Sequence, residues 1–305
     1  MPVHLSPIRR REFLQQSAAA LAGFAVLRSA SAAEGANPNL LALLSDTHIP
    51  ENADVLAREV NMTANLRKVV RDLVALKEKP AGVLVNGDCA YLKGKPDDYA
   101  NFAGCVAPLV EAGLPLHLTM GNHDNREALY EKLAAQKPAA PLVQAKHVSV
   151  LECPHANWFL LDSLFVTDVV TGQLGDEQRG WLAKALDERK DKPAIVMAHH
   201  TPQFEPPPEG TKWGGIEDTA ALFELLMPRR HVKAFVYGHS HNWSVTMRDD
   251  LHLVNLPPVA YVFAAGKPNG WVSAAMRPDG LDLQLHTLDP AHRQAGEKFS
   301  LTWRA

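Results

Sequence analysis

The sequence has few cysteines, no large excess of charge of either sign, and no apolar run long enough to cross a bilayer. Three cysteines in 305 residues, Cys89, Cys105 and Cys153, are too few and too irregularly spaced for a disulfide framework, so we expect them to be small buried residues. The net charge is −3, from 31 basic and 34 acidic residues. This balance gives no electrostatic reason to expect binding to nucleic acid or to an anionic membrane.

Residues 1–33 have the features of an export signal rather than of a folded segment. An arginine-rich start precedes an apolar run, Phe13–Leu27, which is shorter than the roughly 20 residues needed to span a bilayer. Ala30-Ser31-Ala32 supplies small residues at cleavage spacing, and Arg10-Arg11-Glu12-Phe13-Leu14 resembles the twin-arginine export motif of bacteria. An ordinary amphipathic helix is the alternative. We expect a periplasmic or secreted protein without an integral membrane segment, exported by the twin-arginine machinery through residues 1–33.

Short apolar runs alternate with helical patterns in the rest of the chain. The runs predicted to be buried strands are Leu40–Leu44, Gly82–Val85, Leu116–Met120, Trp158–Leu161, Ala194–Met197 and Ala234–Tyr237. Helical patterns lie around Leu66–Leu76 and at Arg126–Ala135, Glu177–Glu188 and Asp218–Leu226. After Gly238 the pattern predicts a meander of antiparallel strands at Trp243–Met247, Leu251–Val254, Trp271–Met276 and Leu281–Thr287. Together these patterns indicate one α/β domain, residues 34–305, with more than one sheet.

The chain contains 14 histidines, and several of them follow the predicted strands. Five strands run into polar blocks, which are Asp46-Thr47-His48, Gly87-Asp88, Gly121-Asn122-His123-Asp124, His199-His200 and Gly238-His239-Ser240-His241. Each block alone is more simply explained as a turn, a helix cap or a buried pair. Ligands in open α/β sheets bind outside the carboxyl ends of the strands, so five such ends point to one site.

The residue types in these blocks suit a metal centre. Asp46 and His48 are two residues apart, so on an extended backbone both side chains face the same way, and the same holds for His239 and His241. Carboxylates with imidazoles suit Mn, Fe, Zn or Co rather than calcium. Two carboxylates, one amide and four imidazoles are too many ligands for one tetrahedral site and the right number for two metals that share a bridge.

In order and spacing, the five blocks resemble those of the calcineurin-like metallophosphoesterase family over roughly residues 40–242. The resemblance implies a four-layer α/β/β/α sandwich with two mixed sheets flanked by helices. It also implies two divalent or trivalent metal ions. One ion takes Asp46, His48 and His241, the other takes Asn122, His199 and His239, and Asp88 bridges them. His199 fits the family position, and His200 is then a neighbour of the ligands.

The resemblance further implies hydrolysis of a phosphoric ester by a hydroxide that bridges the metals. His123 is the expected general acid or charge stabiliser near the leaving oxygen, with Asp124 holding its imidazole in orientation. The run His199-His200-Thr201-Pro202 looks like the His-His-Pro of the branch of small cyclic-nucleotide and glycerophosphodiester phosphodiesterases, with Thr201 inserted. We therefore expect a phosphodiesterase acting on a small phosphoester. The alternatives are a phosphomonoesterase, such as a phosphatase or nucleotidase, and a non-catalytic metal-binding module.

Two further features bear on function. A metallo-β-lactamase-type hydrolase would need a His-x-His-x-Asp-His block, which the sequence lacks. The segment Pro202–Gly215 is rich in proline and glycine and directly follows a predicted ligand, so we expect it to border the pocket. Its aromatic residues Phe204 and Trp213 either stack on the substrate or pack on the protein's own surface.

Overall fold

A computed structural model describes residues 35–305. The predicted export signal, residues 1–33, lies outside the described residues. Within residues 35–305, no helix combines the length and the apolar character that crossing a membrane requires. All three cysteines are buried and unpaired, as predicted from their number and spacing.

The described residues, 35–305, form fourteen strands and five α-helices. The strands are β1 Asn37–Ser45, β2 Leu56–Ala57, β3 Val60–Asn61, β4 Pro80–Asn86, β5 Leu116–Thr119, β6 Ser149–Glu152, β7 Asn157–Leu160, β8 Ala194–Met197, β9 Val232–Tyr237, β10 Ser244–Arg248, β11 Leu251–Asn255, β12 Gly270–Arg277, β13 Gly280–Thr287 and β14 Lys298–Thr302. The helices are α1 Met62–Ala75, α2 Pro96–Glu111, α3 Arg126–Lys132, α4 Asp176–Asp187 and α5 Thr219–Leu226, and a 3-10 turn follows α3 at Ala134–Gln136.

Two six-stranded mixed sheets form the centre of the molecule. The first has the order β14-β13-β12-β1-β4-β5, with β1, β4 and β5 parallel and the other pairs antiparallel. The second has the order β10-β11-β9-β8-β7-β6, with β11, β9, β8 and β7 parallel and an antiparallel strand at each edge. Strands β2 and β3 form a separate short hairpin ahead of α1.

The sheets pack face to face and helices cover their outer faces, which gives the expected four layers. Strand β1 shows why: Leu41 and Leu43 face the second sheet, whereas Ala42 and Leu44 pack under helices α1 and α2. Alternate side chains of a strand point to opposite faces, so a strand buried on both faces reads as a continuous apolar run. On the other side, α4 and α5 pack against the second sheet, for example through Leu182.

Capping hydrogen bonds define the first residues of helices α1 and α2. Helix α1 starts after Asn61, whose side chain accepts a hydrogen bond from the Ala64 backbone N–H, a typical N-cap contact. Helix α2, which the sequence patterns did not indicate, begins at Pro96, and the Asp98 carboxylate accepts from the Lys95 backbone N–H. These caps fix the loops between strands and helices on the first sheet.

The predicted antiparallel meander after Gly238 is wrong in its connectivity. Strands β10 and β11 belong to the second sheet, where β11 pairs parallel with β9. Strands β12 and β13 cross to the first sheet and join at a tight turn after Arg277, as predicted. Local apolar patterns locate the strands. They do not specify which sheet each strand joins, because that depends on contacts with distant residues in the core between the sheets.

Candidate metal centre

The predicted ligands converge at one edge of the sandwich, beyond the carboxyl ends of strands from both sheets. The loops after β1, β4 and β5 carry Asp46, His48, Asp88 and Asn122, and those after β8 and β9 carry His199, His239 and His241. The two sets meet across the sheets. His241 Nε2 lies 3.3 Å from Asp46 Oδ1, and His199 Nε2 lies 3.2 Å from Asp88 Oδ2.

The predicted ligand atoms form two groups, and a third group, His48, Asp88 and His123, connects them. Asp46, His48 and His241 offer atoms within 4.8 Å of one another, and so do Asp88, His199 and His239. Asp88 belongs to both neighbourhoods, because its Oδ2 also lies 3.7 Å from His48 Nε2. The arrangement therefore offers two cation positions with a carboxylate between them.

Several buried acceptor atoms at this point have no hydrogen-bond partner among the described residues. They are Asp46 Oδ1, Asn122 Oδ1 and His199 Nε2. An unsatisfied buried polar atom costs about 1–3 kcal/mol, so a convergent set of them is not expected without a ligand. A cation bound at these atoms would satisfy all three, and the carboxylate, amide and imidazole donors fit divalent or trivalent transition metals.

Three of the four predicted ligand imidazoles are each oriented by a backbone carbonyl. His199 Nδ1 pairs with Asn86 O at 2.8 Å, His239 Nε2 with Gly214 O at 2.9 Å and His241 Nδ1 with Tyr261 O at 2.5 Å. A carbonyl only accepts, so each of these nitrogens carries the proton. In the neutral form of each imidazole the opposite nitrogen then has a lone pair, which is the state that a metal ligand requires.

Five of the seven predicted ligand residues have left-handed backbone. Their φ angles are 52° at Asp46, 47° at His48, 47° at Asp88, 66° at His239 and 49° at His241. The expectation of an extended backbone at the Asp-x-His and His-x-His pairs is therefore wrong, although both pairs still converge. Such conformations are rare outside glycine, cost on the order of 1–3 kcal/mol each and concentrate at functional sites.

Glycine is required where the loops approach one another. A Cβ at Gly121 would lie 2.2 Å from Asp88 Oδ1 and 2.5 Å from the Asp88 backbone nitrogen. No side chain larger than hydrogen fits there without moving Asp88. The glycine that precedes Asn122 thus lets the loop after β5 reach the carboxylate between the two ligand groups.

In the metal-free cluster the carboxylates are ionised and two imidazoles are neutral, whereas His199 carries a proton that a metal has to displace. Burial raises the pKa of Asp46 and Asp88, but the facing imidazoles outweigh burial and hold both pKa values below the usual range. Burial lowers the pKa of His48 to about 3 and that of His239 to about 4, so both are neutral near pH 7. For His199, burial is outweighed by Asp88 and Asp46, which raise its pKa to about 10.

Metal loading is therefore expected to release about one proton near pH 7, chiefly from His199. Because the His199 pKa is raised to about 10, the proton competes with the metal below that pH, and apparent metal affinity should rise by about tenfold per pH unit. Titration of metal-free protein with Mn²⁺ or Zn²⁺ in weakly buffered indicator solution measures the proton count. An affinity that does not change between about pH 6 and pH 9 would contradict this expectation.

His123 lies beside the ligands but is oriented differently from the prediction. Its Nδ1 pairs with Leu92 O at 2.6 Å, and its ring centroid lies 5.4 Å from that of His48. The nearest carboxylate to Nδ1 is Asp168, whose Oδ1 is 3.8 Å away. The His123 side chain is 22% exposed, so the open nitrogen can meet a ligand at the mouth of the centre.

Asp124 does not hold the His123 imidazole, which corrects the predicted role. Its Oδ1 accepts from the backbone N–H groups of Cys89 and Ala90 and from the Tyr99 hydroxyl, and its Oδ2 accepts from the Gly121 N–H. Both oxygens are thus committed to fixing the loops after β4 and β5. Burial and the nearby Asp88 raise the pKa of Asp124 to about 6.

His200 is buried behind the centre. Its Nδ1 pairs with the Ser163 hydroxyl at 2.8 Å, and its ring lies 4.7 Å from that of His239. His199, in contrast, has its Nε2 directed at Asp88. The geometry therefore favours His199 as the ligand and leaves His200 as packing beneath it.

The segment Pro202–Gly215 borders the centre through its backbone. The Gly214 carbonyl orients His239, as described above, and Thr171 donates to the Trp213 carbonyl. Phe204 instead packs edge-on against Phe223 with ring centroids 4.8 Å apart. Of the two predicted roles for Phe204, packing on the protein itself is the one observed.

Tyr261 and Leu92 contribute to the centre although no sequence pattern singled them out. Each acts through its backbone carbonyl, so side-chain chemistry carried no signal. The Tyr261 ring also stacks 5.3 Å from the His48 ring.

The chain is similar to known phosphoesterases in sequence and in fold. A profile described as calcineurin-like phosphoesterase matches residues 40–243. The cyclic AMP phosphodiesterase CpdA of Pseudomonas aeruginosa is 29% identical over 74% of this chain and 78% of its own length. The glycerophosphodiester phosphodiesterase GpdQ of Enterobacter lignolyticus is 28% identical over 73% of this chain and 78% of its own length.

Among solved structures, a dimetal phosphatase from Danio rerio superposes with a TM-score of 0.64 at 14% sequence identity. The match covers 87% of this chain and 99% of the phosphatase. At this identity the likeness concerns the fold, and it agrees with the four-layer arrangement of sheets and helices.

Proposed function

Since this chain belongs to the calcineurin-like phosphoesterase family, we propose that it is a metal-dependent hydrolase of small phosphodiesters. The observation that carries the proposal is the pair of adjacent ligand groups that share Asp88, with unpartnered acceptor atoms facing them. A non-catalytic module on the same fold would have no need of this complete set.

In this proposal Asp46, His48 and His241 would hold one metal ion, Asn122, His199 and His239 would hold a second, and Asp88 would contribute to both. The grouping of donor atoms and the imidazole orientations support this assignment. When bound, such ions lower the pKa of a coordinated water and neutralise charge on the phosphoryl oxygens. Mn, Fe, Zn and Co all suit the donors.

The protein's own contribution to the reaction is orientation and proton transfer. We assign His123 as the general acid that gives a proton from Nε2 to the leaving alkoxide. The hydrogen bond to the Leu92 carbonyl fixes the ring, and Asp168, 3.8 Å from Nδ1, stabilises the protonated imidazole. Positioning of this kind is most effective on rigid loops, and the contacts of Asp124 hold the loop that carries His123.

The substrate class follows from the two relatives together. Their names specify a cyclic nucleotide and a glycerophosphodiester, which share a phosphodiester bond on a small molecule. The test is a panel of cyclic nucleotides, glycerophosphodiesters and phosphomonoesters with metal-stripped and Mn-reloaded enzyme. Metal-dependent hydrolysis of the diesters is expected. Hydrolysis of monoesters alone would indicate a phosphatase, and the absence of metal-dependent hydrolysis of every ester would overturn the proposal.

We also propose that the protein is exported through its twin-arginine signal. Changing Arg10 and Arg11 to lysine should leave the protein in the cytoplasm, because the export machinery reads the arginine pair. Cell fractionation in a bacterial host measures the distribution. A matched change of Arg28 to lysine, near the end of the signal, should leave export intact. Equal export of the two variants would contradict a twin-arginine route.

A further inference from the structure

A cationic side chain lies at the mouth of the proposed metal centre with no role in the steps described so far. Arg58 occupies the turn between β2 and β3, where it and Glu59 both adopt left-handed backbone, with φ angles of 49° and 65°. Two consecutive residues of this conformation form the tight turn that suits a hairpin, at a strain cost outside glycine and asparagine. The turn presents Arg58 at a defined place.

The Arg58 guanidinium lies over two aromatic rings that touch the metal ligands. Its Cζ is 5.1 Å from the Phe263 ring centroid and 5.8 Å from that of Tyr261. Phe263 in turn stacks on His241, with centroids 4.0 Å apart and planes inclined by 19°. A single aromatic ring, that of Phe263, therefore separates the Arg58 guanidinium from the His241 imidazole. We call Arg58, Tyr261 and Phe263 the arginine wall.

The arginine wall is open to solvent, and no carboxylate of the described part of the chain forms an ion pair with it. Arg58 is exposed and Phe263 is 53% exposed, unlike the buried rings of the core. Other arginines, such as Arg126 and Arg229, form bidentate pairs with aspartates. Among residues 35–305, no carboxylate lies within 4.0 Å of the Arg58 guanidinium. Its five N–H donors thus remain available to a ligand.

We propose, on the basis of the proposed function, that Arg58 determines substrate specificity. It does so by binding the organic group that is esterified to the phosphate. Guanidinium recognises anionic and acceptor-rich groups and stacks on planar rings, as a nucleoside base and sugar provide. Two aromatic rings beside a site would otherwise attract a quaternary ammonium group. Here Arg58 already holds that position, and its charge repels such a group. The wall therefore selects nucleoside phosphodiesters over choline-type diesters.

The test compares cyclic AMP with glycerophosphocholine as substrates of the metal-loaded enzyme. In the parent, kcat/KM should favour cyclic AMP. Arg58→Glu should lower the ratio of the two kcat/KM values by about 10- to 100-fold, the effect of losing one charged hydrogen-bonding contact and reversing its sign. Arg58→Met should lower it less. Arg71→Glu, an exposed arginine on α1, is the matched control and should leave the ratio unchanged.

The outcomes separate this inference from the function on which it rests. If the parent hydrolyses phosphodiesters but Arg58→Glu keeps the parental ratio with parental metal content, the specificity role is overturned and the proposed function stands. If the parent hydrolyses no ester, both are overturned. A lowered ratio in both Arg58 variants, with Arg71→Glu unchanged, supports the role of Arg58. Metal analysis and circular dichroism of each variant separate these effects from loss of folding.

Discussion

Replacing Asp88 by alanine is expected to abolish metal-dependent hydrolysis and to weaken metal binding by about 100-fold or more. This loss exceeds the one typical of a residue that only hydrogen-bonds to a metal ligand. Asp88 lies between the two ligand groups, with Oδ2 facing His199 and His48 and Oδ1 accepting from the His123 N–H. Its removal takes a charge from both proposed metal positions and frees the loop that carries the general acid.

Metal content after dialysis, together with turnover of a diester, measures the effect of Asp88→Ala. Asp191→Ala, an exposed carboxylate at the opposite end of β8, is the matched control and should bind metal as the parent does. Circular dichroism should show the fold retained, because the cores above and below the sheets do not include Asp88. A variant that keeps two metals per chain would refute the shared position of Asp88.

His123→Ala is expected to keep its metals and lose about 10²–10⁴-fold in kcat, the range for a general acid. His123 lies at the edge of the cluster with Nδ1 tied to the Leu92 carbonyl, so no metal position in the proposed assignment depends on it. The loss should be large for substrates with an alkoxide leaving group. It should be small for p-nitrophenyl diesters, whose leaving group departs without a proton.

This dependence on the leaving group separates proton donation from a purely structural role, which would slow all substrates alike. His155→Ala, in the turn between β6 and β7, is a control outside the centre and should behave as the parent. Equal losses for both classes of leaving group would rule out the assigned proton transfer.

Much of the fold could be predicted from the sequence because its strands are buried on both faces. The run Leu40–Leu44 is uniformly apolar for this reason, and it lies within β1 as expected. Helix α2 was missed although Tyr99, Phe102, Val106 and Leu109 recur at helical spacing, since prolines stand at its start and at position 108. The assignment of β10 to β13 to two sheets depends on contacts between distant residues.

The candidate site was predictable where side-chain type carries the chemistry and not where the backbone does. The carboxylates and imidazoles after β1, β4 and β9 converge as their positions at the carboxyl ends of strands indicated. The left-handed backbone at five ligand residues leaves no periodic pattern, and neither do the carbonyls that orient the imidazoles. The role that the resemblance implies for Asp124 does not hold, because its carboxylate accepts from backbone N–H groups of the loops after β4 and β5.

The tethering of His199, His239 and His241 by backbone carbonyls has a consequence for how this centre can diversify. In many metal proteins the ring nitrogen of a histidine ligand that faces away from the metal donates to a carboxylate side chain. One substitution of that carboxylate changes the metal affinity or the activity. Here a point substitution leaves the carbonyl in place. Metal preference is therefore robust to single mutations in these outer contacts, and a new preference has to come from loops of altered length or shape.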